Sequence, residues 1–287
     1  MKSIAIRSLS LTNILFMKKF FTATILFIGL FSFAQVKFSS WNIQHMGKSK
    51  SEESIAYIAQ TLRDFDVVAI QEVVAGPGGA QSVARLADEL NRLGAKWNYR
   101  ISDPTKSSPY SSERYAYLWK TSKVKLIGKP WLDLNFVDEI EREPYFMQIQ
   151  YKGEILTLVN FHAVPTKKQP ETEIKYFKQY PNLYPYACFI FMGDFNLTDM
   201  HTVFNPLKKQ GFVTAFTQQK TSVKRKCDTQ LAYDCLSKSY DHFLIRNDQI
   251  QLIDSGVVYF YNDFETIDLA RKISDHLPIW VEVDVGF

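Results

Sequence analysis

The stretch that most constrains this chain is residues 189–196, F-I-F-M-G-D-F-N, in which an apolar run ends abruptly in polar residues. A run of this length that stops at a glycine is typical of a buried strand. Asp194 and Asn196 are two positions apart, so their side chains point the same way in an extended chain. The pair suits an Asx-type turn that binds its own backbone. It suits equally a site for a metal, a phosphate or a water at the end of a sheet.

Composition excludes a uniformly basic nucleic-acid binder. The chain has 287 residues, 46% of them hydrophobic, and a formal net charge of +4. Residues 1–34 hold four basic and no acidic residues, so residues 35–287 are formally neutral. Any site for a polyanion must therefore be local. The length and the hydrophobic content are sufficient for one domain with a sizeable core.

The N-terminal segment predicts export. Residues 17–19, M-K-K, precede an apolar run over residues 20–33 and the small residue Ala34. This order is typical of a secretory signal, and we expect cleavage after Ala34, with Met17 as the true start. The alternative is a membrane anchor, for which the run is short. We therefore expect residues 35–287 to form one secreted or periplasmic domain that is not attached to a membrane.

The three cysteines have different expected roles. Cys227 and Cys235 bracket a polar loop and could pair after export. In the chain-entropy model, closing so short a loop contributes roughly 2–3 kcal/mol. Cys188 lies in the apolar run and is expected to be a buried thiol, not a nucleophile.

Strand patterns outnumber helix patterns. We predict helices over residues 51–64, 80–93, 170–180 and 202–210. We predict strands over residues 36–42, 66–72, 97–101, 115–120, 124–127, 145–151, 154–162, 188–193, 240–245, 251–261 and 278–285. The Gly-rich residues 75–79 are expected to break structure, and Lys152-Gly153 is expected to form a hairpin turn. Helices between clusters of strands indicate a layered α/β sandwich.

Polar residues recur at or beside the ends of the predicted strands. They are Asn42, Glu72, His162, Asp194, Asn196, Asp241, Asp275 and His276. Each alone has a structural interpretation, because Asn and Glu cap turns and a single strand-end His is more often structural than catalytic. Ligands in layered α/β folds collect at strand ends. The repetition therefore favours one shared site.

The residue types at these strand ends indicate a particular chemistry. Carboxylates and amides without cysteine suit oxygen-preferring cations, namely Mg²⁺, Mn²⁺ or Ca²⁺. Two histidines suit acid–base catalysis near neutral pH. The chain has neither a G-x-S-x-G motif nor a P-loop. A metal and histidines without a protein nucleophile point to water attack on phosphorus.

From about residue 36 onwards, the chain resembles the endonuclease/exonuclease/phosphatase superfamily. The motifs that carry the resemblance occur in the family's order: W-N-I-Q-H-M-G, D-V-V-A-I-Q-E-V, S-E-R-Y, E-R-E-P, V-N-F-H-A-V-P, M-G-D-F-N, S-Y-D-H and I-S-D-H-L-P-I. S-E-R-Y and R-E-P narrow the resemblance to the deoxyribonuclease I branch. The resemblance implies an α/β (α+β) four-layer sandwich, with two central, mostly antiparallel sheets flanked by helices.

The resemblance also implies an activity. It implies a secreted, divalent-metal-dependent endonuclease that hydrolyses DNA phosphodiesters with low sequence specificity, as a monomer without a stable protein partner. The alternative within the fold is a sphingomyelinase-like phosphoesterase for a lipid or a small molecule. That enzyme would need an exposed aromatic hairpin near the site, and the chain has no obvious one. A non-catalytic binding module would lack the two histidines, which are present here.

Metal-site roles follow by resemblance. Glu72 would bind Mg²⁺ or Mn²⁺, with Ca²⁺ as a further candidate, at the scissile phosphate. Asn42 would share this metal and contact the substrate. Asp194 and Asn196 would position the phosphate, the metal or the water, and Asp275 would lie in the same shell.

The resemblance makes His162 and His276 the acid–base pair. Glu113 of S-E-R-Y would orient His162, and Asp241 of S-Y-D-H would orient His276, because a carboxylate partner fixes the tautomer and raises the pKa. Arg142 of E-R-E-P would contact a phosphate. Its alternative is a surface ion pair with a neighbouring glutamate.

Two departures concern the grip on the polymer. Where the family has an arginine two residues after the metal-binding glutamate, this chain has Val74, and the family's tyrosine before the S-E-R-Y glutamate is Ser111. Reading of a duplex minor groove is therefore not predicted. Residues 167–168 and 224–226 are basic, and they are either phosphate contacts or solvated loops.

Overall fold

The structure, a computed structural model, describes residues 35–108, 111–227 and 235–285. The predicted signal segment, residues 1–34, lies outside the described residues, so its cleavage stays a prediction. The described residues belong to one compact unit, Gln35–Phe287. Within the described residues, every helix is too short or too polar to cross a bilayer.

Strands and helices are labelled here in chain order. The strands are β1 Val36–Met46, β2 Val67–Val74, β3 Trp97–Ile101, β4 Glu113–Lys120, β5 Lys125–Leu132, β6 Tyr145–Tyr151, β7 Glu154–His162, β8 Cys188–Asp194, β9 Phe212–Thr214, β10 Asp241–Arg246, β11 Gln251–Val257 and β12 Ile279–Asp284. The α-helices are α1 Glu52–Leu62, α2 Pro77–Arg92, α3 Glu171–Ile174, α4 Tyr180–Leu183, α5 Asn205–Lys209 and α6 Ile267–Ile273.

In the part of the chain that the structure describes, the strands form two six-stranded sheets, ordered β11-β12-β1-β2-β4-β3 and β5-β6-β7-β8-β10-β9. Pairing is antiparallel except for β1 with β2 and β7 with β8, which lie at the centre of their sheets. In each sheet, the carboxyl ends of this parallel pair therefore meet at one edge. The predicted fold class, with two central and mostly antiparallel sheets flanked by helices, is confirmed.

Three apolar layers hold the sandwich together. One lies between the first sheet and the helices α1, α2 and α6, and includes Trp41 and Leu86. The second fills the space between the sheets, where Tyr117 and Met192 are fully buried. The third packs the outer face of the second sheet against short helices through aromatic rings such as Phe177. Three buried interfaces separate four structural layers, as the resemblance implies.

The first two helices show where local sequence predicts the start of a helix correctly and where it does not. Ser51 caps α1 by accepting a hydrogen bond from the Ser54 N–H, at the start of the helix predicted from residue 51. The expectation that residues 75–79 are irregular is wrong, because α2 begins at Pro77 and includes two glycines in its first turn. Gly79 has the Val74 carbonyl where a Cβ would lie, so the helix begins close against β2 only because this residue lacks a side chain.

Other differences have local causes. The helix predicted over residues 170–180 is interrupted after Ile174, because the chain tightens into 3-10 turns, in which the Tyr176 N–H donates to the Glu173 carbonyl at 3.0 Å. Strand β11 ends at Val257 and not at 261, since the chain turns into the 3-10 helix Phe260–Asp263. Periodicity did not predict β9 or α6, which have three and seven residues.

The cysteines behave as the sequence indicates. Cys227 and Cys235 form a disulfide, which ties the start of the polar loop to its end. Cys188 is a half-buried free thiol. Burial raises the pKa of the Cys188 thiol to about 12, so it stays protonated at neutral pH and is a poor nucleophile.

The turn into the G-D-F-N motif depends on one glycine. Gly193 has φ +142, and a Cβ there would collide with the Phe161 carbonyl of β7. We expect Gly193→Ala to lower the free energy of unfolding by roughly 2–4 kcal/mol, through strain and overpacking. Gly128→Ala is the control, because Gly128 has φ +65 with open space around it and should cost about 1 kcal/mol. Equal losses in urea unfolding of the two variants would contradict the collision argument.

Candidate active site

The predicted site residues of the two sheets meet at the carboxyl ends of the central strands. Asn42 from β1 is fully buried and donates from Nδ2 to Glu72 Oε1 of β2 at 3.0 Å. The same nitrogen donates to Asp194 Oδ2 of β8 at 3.1 Å. In the second sheet, Asp194 pairs in register with His162 of β7 and Asp241 of β10. One amide therefore bridges the two sheets at the point where all these residues converge.

His162 is held by a buried carboxylate. Its Nδ1 lies 3.0 Å from both oxygens of Glu113, and its Nε2 lies 3.5 Å from Asp194 Oδ2. Burial opposes ionisation of Glu113, but the charges of His162 and Arg142 keep the pKa of Glu113 below its usual value. Burial and Arg142 lower the pKa of His162, but the Glu113 and Asp194 carboxylates outweigh them and raise it.

His276 has the same kind of support from a different strand. Its Nδ1 lies 2.8 Å from Asp241 Oδ2, and its Nε2 lies 3.5 Å from Asp194 Oδ2. Burial opposes the charge on His276, but Asp241 and Asp194 raise its pKa well above the usual value. Burial also raises the pKa of Asp241, to about 6. Two imidazoles thus approach one oxygen of Asp194 with Nε2, and each is oriented through Nδ1.

The motif at residues 194–196 contains the predicted Asx turn, and it leaves one oxygen of Asp194 facing the other predicted site residues. The Asn196 N–H donates to Asp194 Oδ1 at 2.9 Å, which is the Asx turn. The other oxygen of Asp194 faces the histidines and Asn42. Asn196 takes φ +50 and donates from Nδ2 to the Ala163 carbonyl at 3.0 Å. The turn therefore positions the functional groups.

Arg142 lies inside the site and not on the surface, so the alternative of a surface ion pair is wrong. Its side chain is 9% exposed, and Nη1 lies 3.1 Å from Glu113 Oε2 and 3.2 Å from His162 Nδ1. Nη2 donates to the Ala163 carbonyl. Its contact with a phosphate stays a prediction.

Asp275 is placed at the rim. Its Oδ2 accepts from Gln44 Nε2 at 3.1 Å and from Arg271 Nη2 at 3.2 Å. These two contacts orient the Asp275 carboxylate. Asp275 directly precedes His276 in the sequence. A role in the metal shell stays a prediction.

The donors fit a hard divalent cation. Asn42 Oδ1 is buried and has no hydrogen-bond partner among the described residues, although buried amide oxygens are normally satisfied. The Nδ2 of the same amide donates to the carboxylates of Glu72 and Asp194, so one amide and two carboxylates lie together. Residue sets with oxygen donors of this kind suit Mg²⁺ or Mn²⁺. A second group overlaps with it, in which ligand atoms of Asp194, Asp241 and His276 lie within 4.8 Å of one another.

The sequence patterns did not identify the buried residues that support the site residues and their strands by hydrogen bonds. Gln71 and Asn160 are fully buried and joined at 2.6 Å, one or two positions before Glu72 and His162. Thr221 donates to Asp241 Oδ2 at 2.5 Å, and Ser274 donates to the Asn42 carbonyl at 2.5 Å. The polar residues inside apolar strands were a usable signal for the first pair. Thr221 lies in an irregular loop and gave no signal.

Known proteins match this chain in sequence and in fold. The sequence profile described as Endonuclease/Exonuclease/phosphatase family matches residues 39–276. A deoxyribonuclease of Thioalkalivibrio sp. (strain K90mix) is 29% identical over 271 residues, covering 86% of this chain and 71% of that protein. Deoxyribonuclease-1 of Bos taurus is 24% identical over 265 residues, covering 86% and 91%. The fold matches a solved family protein from Leptotrichia buccalis with a TM-score of 0.63 and 16% identity, covering 87% and 99%.

The chain belongs to the endonuclease/exonuclease/phosphatase family, since the profile matches most of its length. Within that family it is similar to the deoxyribonucleases.

The buried pair of Glu113 and Arg142 generates a stability prediction. Glu113→Ala leaves the guanidinium buried without its carboxylate and should lower the free energy of unfolding by roughly 3–5 kcal/mol. The control is Glu89→Ala, because Glu89 pairs at 2.7 Å with Arg92, whose side chain is 74% exposed. That variant should lose less than ~1 kcal/mol. Similar losses in urea unfolding would mean that the Glu113 pair contributes no more than a surface pair.

Proposed function

We propose that this protein is a divalent-metal-dependent endonuclease that hydrolyses DNA phosphodiesters with low sequence specificity. One observation carries the proposal: two carboxylate-bound histidines direct Nε2 at the same oxygen of Asp194, each at 3.5 Å. Such a pair can accept a proton on one side of a phosphate and donate one on the other. The similarity to deoxyribonucleases supports DNA as the substrate.

In this proposal, His162 and His276 exchange protons at Nε2 with the attacking water and the leaving oxygen. Glu113 and Asp241 hold Nδ1 and so fix the tautomers. Asp194 aligns both imidazoles. Asn196 would position the phosphate or the attacking water.

Glu72, Asn42 and Asp194 would hold Mg²⁺ or Mn²⁺, with Asp275 near them and Ca²⁺ as a further candidate. When bound, such an ion neutralises phosphate charge and stabilises the leaving oxygen. Arg142 lies beside the histidine site with its guanidinium fixed by Glu113, and we propose that it stabilises a phosphate oxygen.

We propose that the protein binds DNA through contacts to the phosphate backbone of the DNA and does not read the minor groove. Val74 is 39% exposed at the end of β2, so an apolar side chain stands where the family has an arginine. Lys168 is tied to Glu141 at 3.0 Å, so we propose residues 224–226 as the basic segment that contacts phosphates. Export is proposed from the N-terminal sequence and agrees with the Cys227–Cys235 disulfide, since disulfides persist in oxidising compartments.

The histidine pair gives the central test. His162→Ala and His276→Ala should each lower the rate of supercoiled-plasmid nicking at least ~10²-fold, because each removes a proton-transfer group. His201→Ala is the matched control, since His201 caps a 3-10 helix by accepting from the Val203 N–H and is not a proposed site residue. It should keep activity within about twofold. Near-UV circular dichroism checks that the variants remain folded. Full nicking by either catalytic variant would overturn the proposal.

Metal removal is the second test. EDTA should abolish nicking, and added Mg²⁺ or Mn²⁺ should restore it. Glu72→Gln should need a higher metal concentration for half-maximal rate, because an anionic ligand is lost. Nicking that survives chelation would exclude metal dependence. Cleavage of sphingomyelin vesicles, with no cleavage of plasmid, would instead favour a lipid phosphoesterase.

A further inference from the structure

Two paired strands are distorted at the rim of the site. The β1–β2 register shifts between Asn42 and Met46, and the pairing of β2 with β4 shifts between Ile70 and Val73. Bulges of this kind redirect side chains and are common next to active sites. Here the two irregular segments contain Glu72 and His45.

Both residues take a left-handed backbone conformation, with φ +58 for Glu72 and +52 for His45. Such a conformation is uncommon for Glu and less uncommon for His, and it has a cost in free energy where the surroundings must enforce it. The two are bound to each other, because the His45 N–H donates to Glu72 Oε2 at 3.2 Å. His45 is therefore held by hydrogen bonding against Glu72, which is itself one of the proposed metal ligands.

This arrangement brings the imidazole of His45 to Glu72. His45 Nδ1 lies 3.9 Å from Glu72 Oε2, while Oε1 of the same carboxylate accepts from Asn42. Two atoms bound to one ion at about 2.0–2.2 Å lie no more than about 4.4 Å apart. The separation of nitrogen and oxygen is therefore short enough for both to reach a common ion.

A surface ion pair does not explain the geometry. The His45 side chain is 77% exposed, and exposed ion pairs contribute little to stability. Such a pair therefore does not compensate for the left-handed backbone conformations of the two residues. An imidazole is, by contrast, a common metal ligand in its neutral form. The Glu72 carboxylate would supply one oxygen donor. Asn42 Oδ1, which has no hydrogen-bond partner among the described residues, would supply another.

We propose that His45 is a nitrogen ligand of the metal held by Glu72 and Asn42, and that it makes this centre prefer Mn²⁺ or Co²⁺ over Mg²⁺. The inference rests on the proposed function, in which Glu72 and Asn42 bind a divalent cation. Imidazole suits transition metals, whereas Mg²⁺ prefers oxygen ligands and keeps its waters. Loss of the imidazole should therefore weaken Mn²⁺ binding more than Mg²⁺ binding.

The test compares metal binding by the full chain and by His45→Asn. Asparagine tolerates the left-handed conformation, so this variant removes the imidazole and keeps the backbone. Mn²⁺ affinity, measured by the electron paramagnetic resonance signal of free Mn²⁺, should fall at least ~10-fold. Mg²⁺ affinity, measured by competition with Mn²⁺, should change less than about threefold. Pulsed resonance of bound Mn²⁺ should show a ¹⁴N coupling in the parent that His45→Asn lacks. His201→Asn is the matched control and should keep both.

Three outcomes would overturn the inference. They are unchanged Mn²⁺ affinity in His45→Asn, equal losses for Mn²⁺ and Mg²⁺, and a ¹⁴N coupling that persists in His45→Asn but disappears in His276→Asn. Glu72→Gln separates this failure from failure of the proposed function. If Glu72→Gln loses Mn²⁺ and His45→Asn does not, only the role of His45 is wrong. If Glu72→Gln keeps full Mn²⁺ affinity, the proposed metal centre itself is misplaced, and the inference falls with it.

Discussion

A buried carboxylate, Asp194, is the constraint on which the rest of the site depends. Its residue is 1% exposed, and a carboxylate this far from water is unstable unless charges and hydrogen bonds compensate it. Burial alone would raise the pKa of Asp194, but His276, His162 and the donors around it lower that pKa instead. The ionised form is therefore the favoured one. Stabilising this one charge requires groups from both sheets. The site is therefore complete only when the two sheets are packed against each other.

The polar contacts behind Asp194 make that packing specific. Gln71 donates to Ser40 at 3.0 Å and to Asn160 at 2.6 Å, in an otherwise apolar space between the sheets. Asn160 also donates to the carbonyls of Ile70 and Ala116. A slip of one sheet past the other would leave these buried groups unsatisfied, at a cost in free energy for each. The strand ends that carry Glu72 and His162 are thereby kept in register with each other.

Local sequence predicted much of the fold because the signals were local. The cap at Ser51 and the apolar stripe of α1 need no information from the rest of the chain. Strand periodicity and the Lys152-Gly153 turn were equally local, and that turn joins β6 to β7 through the pair Tyr151 and Glu154. The first turn of α2 was missed, because the fit of Gly79 against β2 is a tertiary fact. The same holds for Thr221, whose partner Asp241 is 20 positions away.

The sequence by itself determined which residues end the strands and what chemistry they can perform, since strand periodicity and the donor types of side chains are properties of local composition. Only the tertiary structure decided how those residues combine. Arg142 lies against Glu113 inside the site instead of on the surface. Two imidazoles point towards one oxygen of Asp194. The irregular pairing of β1 and β2 brings His45 into contact with Glu72. The physical reason is that pairing of distant strands and desolvation of charge depend on the whole packed sandwich. The G-D-F-N motif is therefore both a turn and the point where the predicted site residues of the two sheets meet.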